Sequence, residues 1–247
     1  LNMSMTKTTS SKVFNIFNTI FLFIYSFLTI VPLVHVLMGS LSDPVAYALR
    51  RGLRLLPAGF SLEGYRLLLE TPLVWRGYLN SIIYVSITVV LGLTLSILGA
   101  YVISRKGLLL NKFFILMILF TMVFPPGMIP MFLLIRYIGW MDSPLSIIIP
   151  RCVTVFGLII IRTAFLGIPE SLEESAKIDG ASPFRVLVSI ILPLSKATIA
   201  VIALFYSIQH WNAFFEAMIY LQTRSLFPLQ LIDRKSTRLN SSHGIIS

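Results

Sequence analysis

Charged residues are scarce in this sequence, and their scarcity excludes a soluble domain. Of 247 residues, only 12% are charged and 56% are hydrophobic, whereas soluble domains carry about 25% charged residues. The single cysteine, Cys152, excludes an intrachain disulfide and a thiolate metal cluster. The chain also lacks a GxxxxGK[ST] phosphate loop. We therefore expect neither a metal nor a cofactor bound by this chain itself.

Long apolar runs are what the sequence does contain. A membrane-crossing helix needs about 20 apolar residues, and only helices or closed barrels satisfy their backbone groups in lipid. Five runs qualify: 13–38, 79–103, 112–135, 144–163 and 195–220. The sequence thus predicts an all-α, polytopic membrane helix bundle. The net charge of +10 lies in loops, which favours lipid and protein partners and no nucleic acid.

The main indication of the orientation is a short loop with basic residues. Arg105, Lys106 and Lys112 flank a tight turn, and such turns stay inside the cell. The N-terminus, with Lys7 and Lys12, and residues 164–194 then lie in the cytoplasm. Residues 40–78 form an external loop containing Arg50, Arg51 and Arg54. In this loop we expect a helix over 61–70 with Ser61 as its cap.

A charged stretch interrupts the apolar pattern between residues 170 and 185. Its six charges, at about 3 kcal/mol each, would cost on the order of 15–20 kcal/mol at the centre of a bilayer. The first half is acidic, with Glu170, Glu173, Glu174 and Asp179. A helical hairpin lying on the membrane surface would prefer lysine and arginine. The acidic charge favours contact with a protein, while a hairpin without a partner remains the alternative.

Local signals predict two short helices with a sharp bend in this stretch. Ser171 and Glu174 have the spacing of a capping box. Gly180 stands where a helix end needs positive φ. Ser182 followed by Pro183 is typical of a second helix start. Pro193 marks the end of that helix.

The same stretch resembles the cytoplasmic loop of permease subunits in ABC importers. That loop has the form EAA, three residues, G, nine residues, I, one residue, LP. Here Glu174-Ser175-Ala176, Gly180, Ile190 and Leu192-Pro193 match every spacing, and Ser175 replaces the central alanine. The stretches IPESLEESAKIDGASPFRVLVSIILPLSKATIA and ALFYSIQHWNAFFEAMIYL, the latter followed by LFPLQL, resemble the carbohydrate, maltose-type branch for polysaccharide fragments. The resemblance covers nearly all of residues 13–232.

The resemblance implies a fold, a function and partners. The fold would be that of an ABC type-1 importer permease, with residues 1–78 preceding a core at 79–232. The chain would be a multi-pass, non-enzymatic subunit in the bacterial inner (cytoplasmic) membrane, importing a carbohydrate, expected to be an oligosaccharide. Its partners would be a second permease, a cytoplasmic ABC ATPase dimer and an extracellular solute-binding protein. ATP and Mg would be bound by the ATPase.

Residues 170–193 would be the coupling helices that dock on that ATPase. Glu173, Glu174 and Asp179 would meet its basic or polar groups. Ala176 and Gly180 would allow close approach, and Phe184 and Leu187 would pack the hairpin under the spans. The coupling set is Glu173, Glu174, Ser175, Ala176, Asp179, Gly180, Leu192 and Pro193.

Polar side chains within the fifth run are candidates for a substrate path. Polar groups inside a span usually face a cavity or the bundle interior, and amides, carboxylates and aromatics suit sugars. Gln209, Asn212 and Glu216 recur at spacings of three and four and should share one helix face. Hydrogen bonding between helices is the alternative. The candidates are Tyr206, Gln209, Trp211, Asn212 and Glu216.

Two further features admit a functional and a structural interpretation. Arg151 follows Pro150 and either binds an acidic sugar in a cavity or sits at the outer interface where the span begins; the latter is favoured. The sequence Phe124-Pro125-Pro126-Gly127 breaks the third run, either to line a transport site or as a structural kink.

The two ends of the sequence differ from the rest. The chain opens with Leu1, so Met3 or Met5 is a candidate initiator. Residues 233–247 (DRKSTRLNSSHGIIS) are neither apolar nor similar to the family. We interpret them as a non-native tail, with the sixth span missing by truncation.

Three other functions are the alternatives to the interpretation as a carbohydrate permease. A permease for a non-sugar solute would share the coupling loop. A proton-coupled carrier would need a chain of acidic residues within the spans, where Glu216 alone qualifies. An intramembrane enzyme would need paired catalytic groups, and His35, His210 and Cys152 show no partner spacing.

Overall fold

The secondary-structure elements of the described residues are helices. The computed structural model describes residues 9–49, 52–53, 55–105 and 110–232. The predicted positions of Lys7, Arg50, Arg51, Arg54, Lys106 and the tail 233–247 lie outside these ranges. The helices of the described residues are α1 (Thr9–Ser40), α2 (Pro44–Leu49), α3 (Glu63–Glu70), α4 (Pro72–Ser104), α5 (Asn111–Val123), α6 (Met128–Ile138), α7 (Leu145–Ile148), α8 (Val155–Leu166), α9 (Glu170–Ile178), α10 (Pro183–Val186), α11 (Leu192–Leu194), α12 (Lys196–Trp211) and α13 (Phe214–Tyr220).

Two of these helices are long and apolar enough to cross a membrane alone. They are α1, from Lys12 to Ser40, and α4. Up to five spans result if three bent helix pairs each count as one. The pairs are α5 with α6, bent by 109°, α8 with α9, bent by 72°, and the segment Pro183–Leu194 with α12, bent by 82°.

Three of the five predicted runs are broken helices. The third run divides into α5 and α6 because Pro125 and Pro126 lack the N–H groups that would continue the helix. The fourth divides at Pro150, and α8 starts only after Thr154, whose Oγ1 accepts a hydrogen bond from the Gly157 N–H at 3.1 Å. The fifth divides after Trp211 without a proline.

The chain divides into two compact units, Leu1–Pro72 and Leu73–Ser247. In the first, the turn after α1 is closed by hydrogen bonds from the Asp43 N–H to the Gly59 carbonyl at 2.9 Å and from the Ala58 N–H to Ser42 Oγ at 2.9 Å. The helix predicted over 61–70 is confirmed as α3. Its N-cap is Leu62 and not Ser61, although Ser61 Oγ accepts from the Glu63 N–H at 3.2 Å.

The second unit packs around a stripe of small residues on α4. Small side chains let helix backbones approach closely, and here a Cβ added at Gly92 would overlap the carbonyl oxygen of Cys152. The buried residues of the stripe are Gly77, Ser81, Thr88, Gly92, Ser96 and Ala100. The neighbouring core contains Ile161, Phe165, Val186, Leu187, Ile191, Ile202 and Tyr206. The charged hairpin is therefore anchored in the same core as the spans, through Val186, Leu187 and Ile191.

Candidate coupling hairpin and membrane cavity

The bend of the charged hairpin is formed at Gly180. The helix α9 ends at Ile178, and Gly180 follows with φ +76°. The Gly180 N–H donates to the Lys177 carbonyl at 3.0 Å, and the Ala181 N–H donates to the Ala176 carbonyl at 2.9 Å. This left-handed helix end is the one that the sequence predicts, because glycine adopts positive φ without steric cost.

The second arm of the hairpin also begins as predicted. Ser182 Oγ accepts a hydrogen bond from the Arg185 N–H at 3.3 Å, and Pro183 occupies the first position of α10. A π-helical turn at Leu187–Ile191 and α11 complete the arm before the bend into α12. Tyr101 on α4 donates its hydroxyl to the Pro183 carbonyl at 3.1 Å. The hairpin is thus fixed to α4 at its bend.

The capping box predicted for the first arm is wrong. The helix α9 begins at Glu170, with Pro169 at the N-cap, so Ser171 already lies inside the first turn. Its carbonyl accepts a hydrogen bond from Ser175 Oγ at 2.9 Å. Pro169 decides the start because its restricted φ suits a helix entry and it has no N–H to satisfy.

A buried ion pair fastens the first arm to the end of α4. Arg105 Nη1 contacts Glu173 Oε1, and the guanidinium carbon of Arg105 lies 4.8 Å from the centre of the Tyr101 ring. Glu173 is only 4% exposed. Burial lowers the pKa of Arg105, while Tyr101 and Glu170 act in the opposite direction. The structure places Glu173 against a basic group of its own chain, whereas the resemblance implied contact with basic or polar groups of an ATPase.

The other coupling residues lie mostly at the surface. Exposed members of the set are Glu174, Ser175, Asp179, Gly180 and Pro193, and half-buried members are Ala176 and Leu192. Leu187 is buried as expected. Phe184, expected to pack beneath the spans, is instead exposed, as is Ile178 at 86%. Ile178 and Phe184 are thus the two most exposed of the large apolar side chains of the charged hairpin, a feature that the sequence did not indicate.

Tyr206, a predicted substrate-path residue, is buried and forms hydrogen bonds with other parts of the chain. Its side chain is buried, and its hydroxyl is 2.8 Å from Ser96 Oγ on α4. It also accepts the Thr154 N–H at 3.2 Å, ahead of α8. Three elements thus meet at one hydroxyl. These contacts are typical of hydrogen bonding between helices, which was the alternative to a role in the substrate path.

The predicted shared face of Gln209, Asn212 and Glu216 is wrong. The helix ends between them, at Asn212 and Ala213, so the three residues do not follow one helical repeat. Asn212 Nδ2 donates back to the Ile208 carbonyl at 2.8 Å. Gln209 lines a cavity of about 360 Å³ together with Thr154, Phe205 and Tyr206, whereas Glu216 lines a different one. Trp211 is partly exposed.

Glu216 and Arg151 form an ion pair in that second cavity. Arg151 Nη1 lies 2.5 Å from Glu216 Oε1. The cavity measures about 290 Å³ and lies at the break between α5 and α6. Its walls include Pro125, Pro126, Met131, Pro150, Phe215 and Tyr220. The sequence did not indicate that Arg151 and Glu216 form a pair. The break in the third run, at Pro125 and Pro126, lines the same cavity as this pair.

Asp142 is a structural residue that sequence reasoning missed. Its Oδ1 accepts the N–H groups of Gln222 and Thr223, both at 2.8 Å, and its Oδ2 accepts the Thr223 hydroxyl at 2.5 Å. The backbone of Asp142 has φ 55°. These hydrogen bonds lower the pKa of Asp142, and the bond from the Thr223 hydroxyl has the largest effect. The turn after α6 is thereby tied to the segment after α13.

The described residues contain no group of three histidine, cysteine, aspartate or glutamate side chains that could hold a metal ion. His210 is buried, and its Nε2 has no hydrogen-bond partner within the part of the chain that the structure describes.

Comparison with known proteins identifies the class. The family described as "Binding-protein-dependent transport system inner membrane component" matches residues 92–229. This match covers the hairpin, the cavity and the ion pairs. The chain belongs to this family, and it is a helical membrane subunit of a transport system.

Two of three similar relatives are named as transport system permeases. The polygalacturonan/rhamnogalacturonan transport system permease protein YtcP of Bacillus subtilis (strain 168) is 35% identical over 221 residues, 90% of this chain and 77% of the relative. Protein LplC of the same organism is 34% identical over 96% of this chain and 80% of LplC. The arabinooligosaccharides transport system permease protein AraQ, also from that strain, is 30% identical over 89% of this chain and 80% of AraQ.

A solved structure shows the same fold. A crystal structure of a bacterial ABC transporter involved in the import of the acidic polysaccharide alginate superposes with a TM-score of 0.88 and 33% sequence identity. The match covers 94% of this chain and 82% of the chain in that structure. The fold is thus that of an ABC importer permease, as the sequence predicted.

Proposed function

We propose that this chain is the permease subunit of an ATP-driven importer for a carbohydrate, specifically an oligosaccharide. Family membership and relatives named for oligosaccharide and polysaccharide transport support the substrate class. The likeness to an alginate importer supports it independently. The subunit resides as a multi-pass protein in the bacterial cytoplasmic membrane.

The working assembly contains further subunits. We include a second permease, a pair of cytoplasmic ABC ATPases and an external solute-binding protein. ATP and Mg are bound by the ATPases, which supply the energy for transport. This chain contributes the spans, which form one side of the translocation path, and the hairpin through which ATPase movement reaches them.

The observation that carries this proposal is the hairpin Glu170–Leu194. The Gly180 bend and the Ser182 cap fix the two arms relative to each other, and the Arg105–Glu173 pair and the Tyr101–Pro183 hydrogen bond fix them to the end of α4. Its free surface combines exposed acidic groups with the apolar side chains of Ile178 and Phe184. Exposed apolar side chains among charges are typical of an anchor that fills a pocket on a partner.

The hairpin also explains how a partner could move the spans. Val186, Leu187 and Ile191 are buried in the core that contains Phe165 and Ile202. Because packed cores transmit displacement instead of absorbing it, a push on the hairpin shifts α8 and α12 together. Alternating access follows if this shift opens the cavities to one side and closes them to the other.

The proton-coupled alternative fits the structure less well. Such a carrier relies on acidic groups within the spans that gain and lose protons. Glu216, the candidate, is paired with Arg151. Within the five predicted apolar runs it is the only acidic residue, so the chain of acidic groups that such a carrier needs is missing there.

Affinity purification tests the proposal. The tagged full-length chain is isolated from its native membrane as wild type and as Ile178→Glu. Wild type should recover a second permease and an ABC ATPase. Ile178→Glu should keep the permease but lose most of the ATPase, since a buried apolar anchor at an interface contributes about 2 kcal/mol or more.

A matched control separates docking from general damage. Leu56 is 80% exposed and lies in the segment predicted to be external, so Leu56→Glu should recover the ATPase in full. Gly180→Pro should also lose the ATPase, because it removes the N–H that bonds to Lys177. Recovery of wild-type chain without any ATPase would refute the proposal.

A further inference from the structure

The cavity at the break of the third span combines charge with ring-shaped walls. Pro125, Pro126, Phe215 and Tyr220 line it beside Arg151 and Glu216. Its volume of about 290 Å³ is near the lower end for small-molecule sites. Aromatic and proline rings offer flat apolar faces, against which a sugar ring can lie. The walls therefore suit one sugar unit of a longer chain.

The ion pair with Glu216 occupies only part of the Arg151 guanidinium. A guanidinium has five N–H donors in a planar fork, and Glu216 Oε1 contacts one nitrogen, Nη1. The Arg151 side chain remains 54% exposed, whereas that of Glu216 is 16% exposed. The guanidinium is thus the accessible member of the pair, and it retains an edge that can bind a carboxylate in bidentate fashion.

We propose that Arg151 binds the carboxylate of a uronic acid unit as an acidic oligosaccharide crosses the membrane. The proposal rests on the proposed function and specifies its substrate class. Glu216 keeps the guanidinium oriented through Nη1, and the substrate carboxylate binds the edge that Glu216 leaves free.

This contact gives selectivity against neutral sugars. A neutral ring can lie against Phe215 or Tyr220 but has no carboxylate to bind the free edge of Arg151. A bidentate, charge-assisted contact with arginine is considerably stronger than a neutral hydrogen bond. An acidic oligosaccharide should therefore bind about 10- to 100-fold more tightly than its neutral ester.

Direct binding to the purified assembly tests the inference. The membrane and ATPase subunits are placed in nanodiscs of phosphatidylcholine without the solute-binding protein. Binding of trigalacturonate and of its trimethyl ester is measured by calorimetry. Wild type should prefer trigalacturonate, and Arg151→Gln should weaken its binding about 10- to 100-fold while leaving the ester unchanged. Arg136→Gln, an exposed arginine on α6 outside the cavity, is the control.

A double variant distinguishes binding from a purely structural ion pair. Arg151→Gln leaves Glu216 without its partner, which can destabilise the protein. Arg151→Gln with Glu216→Gln removes both charges. If the pair serves only stability, the double variant should bind trigalacturonate as wild type does, which would overturn the inference. If Arg151 binds the carboxylate, the double variant stays defective.

The remaining outcomes are also decisive. No preference of wild type for trigalacturonate over its ester would overturn the inference. So would equal loss of both probes in Arg151→Gln. Nanodiscs with added phosphatidylglycerol test whether an anionic lipid headgroup takes the guanidinium. Loss of trigalacturonate binding only there identifies lipid as a competitor and supports an anion site at Arg151. Co-purification of the ATPase reports the proposed function separately.

Discussion

Arg105 and Glu173 form a buried ion pair that joins the end of α4 to the first arm of the hairpin. The two residues belong to different segments of the sequence, one beside the short turn that the sequence predicts to be cytoplasmic and one beside the EAA-like motif. Tyr101, which stacks under Arg105 and bonds to Pro183, fastens the bend to the same helix. The hairpin is therefore held at both arms by the end of one span.

Breaking this ion pair should loosen the hairpin. Arg105→Gln leaves Glu173 buried without its partner, and removing one member of a buried pair costs about 3 kcal/mol or more. We expect a lower thermal midpoint and faster tryptic cleavage after Lys177 and Arg185. The exchanged pair Arg105→Glu with Glu173→Arg should recover part of the loss. The exposed pair Arg66–Glu70 is the control, since Arg66→Gln should cost less than about 0.5 kcal/mol.

The bend at Gly180 depends on backbone conformation alone. A Cβ at this position would contact nothing within 4 Å, so Gly180→Ala is opposed only by its φ of +76°, at about 1–2 kcal/mol. Gly180→Asn should be milder because asparagine tolerates this region. The rate of transport-coupled ATP hydrolysis should be highest in wild type, lower in Gly180→Asn and lowest in Gly180→Ala. Equal activity of all three would show that the bend is not important for coupling.

Tyr206 should contribute to stability and not to substrate affinity. Tyr206→Phe removes a hydroxyl that bonds to Ser96 and to the Thr154 N–H. Leaving buried partners unsatisfied should lower the free energy of unfolding by about 1–3 kcal/mol. The KM for transport should not change. Tyr137→Phe, at an exposed tyrosine of α6, should leave both unchanged, and a raised KM in Tyr206→Phe would instead assign Tyr206 to the path.

Close packing between α4 and the start of α8 should make Gly92 irreplaceable. A Cβ there would overlap the Cys152 carbonyl and approach Tyr206 Cε2 to 3.0 Å. Because backbone cannot move aside easily, Gly92→Ala should destabilise the protein by about 1–3 kcal/mol or more. Gly99→Ala is the control on the same helix, where the nearest atom, at 3.3 Å, is the flexible end of Leu158. Thermal unfolding in detergent compares the two variants.

Asp142 should make stability depend on pH in the acidic range. Hydrogen bonds lower its pKa in the folded protein, so the folded state binds the proton less well than the unfolded state. The stabilisation is fully present above the unfolded pKa, about 3.9, and is lost as the pH falls through the lower folded pKa. The thermal midpoint of wild type should therefore drop below about pH 4.

A variant that keeps the backbone conformation isolates this effect. Asp142→Asn tolerates φ 55° but cannot accept the Thr223 hydroxyl through its amide nitrogen. It should be less stable at neutral pH and lose less stability on acidification. Glu63→Gln, an exposed carboxylate on α3, should retain the wild-type pH dependence. If Asp142→Asn retained it too, another group would be responsible.

Much of this fold was predictable from the sequence because the signals are local. Apolar runs located α1 and α4, and turn chemistry located the Gly180 bend and the Ser182–Pro183 start. Pro125 and Pro126 indicated the break between α5 and α6. The failures are local too: Pro169 overrode the Ser171 cap, and the break after Trp211 has no proline to signal it. That break separated Glu216 from the helix face to which the periodicity had assigned it.

The sequence alone determined a helical membrane protein with a rigid, acidic hairpin. The reason is that apolar runs, glycines and prolines determine the conformation of the segment in which they stand. Tertiary structure decided which charges meet: Glu173 with Arg105, Glu216 with Arg151, and Asp142 with the backbone at Thr223. Their partners lie in other helices or loops, so nothing within a few residues specifies them. The distances at which these pairs form are set by the packing of segments that lie far apart in the sequence.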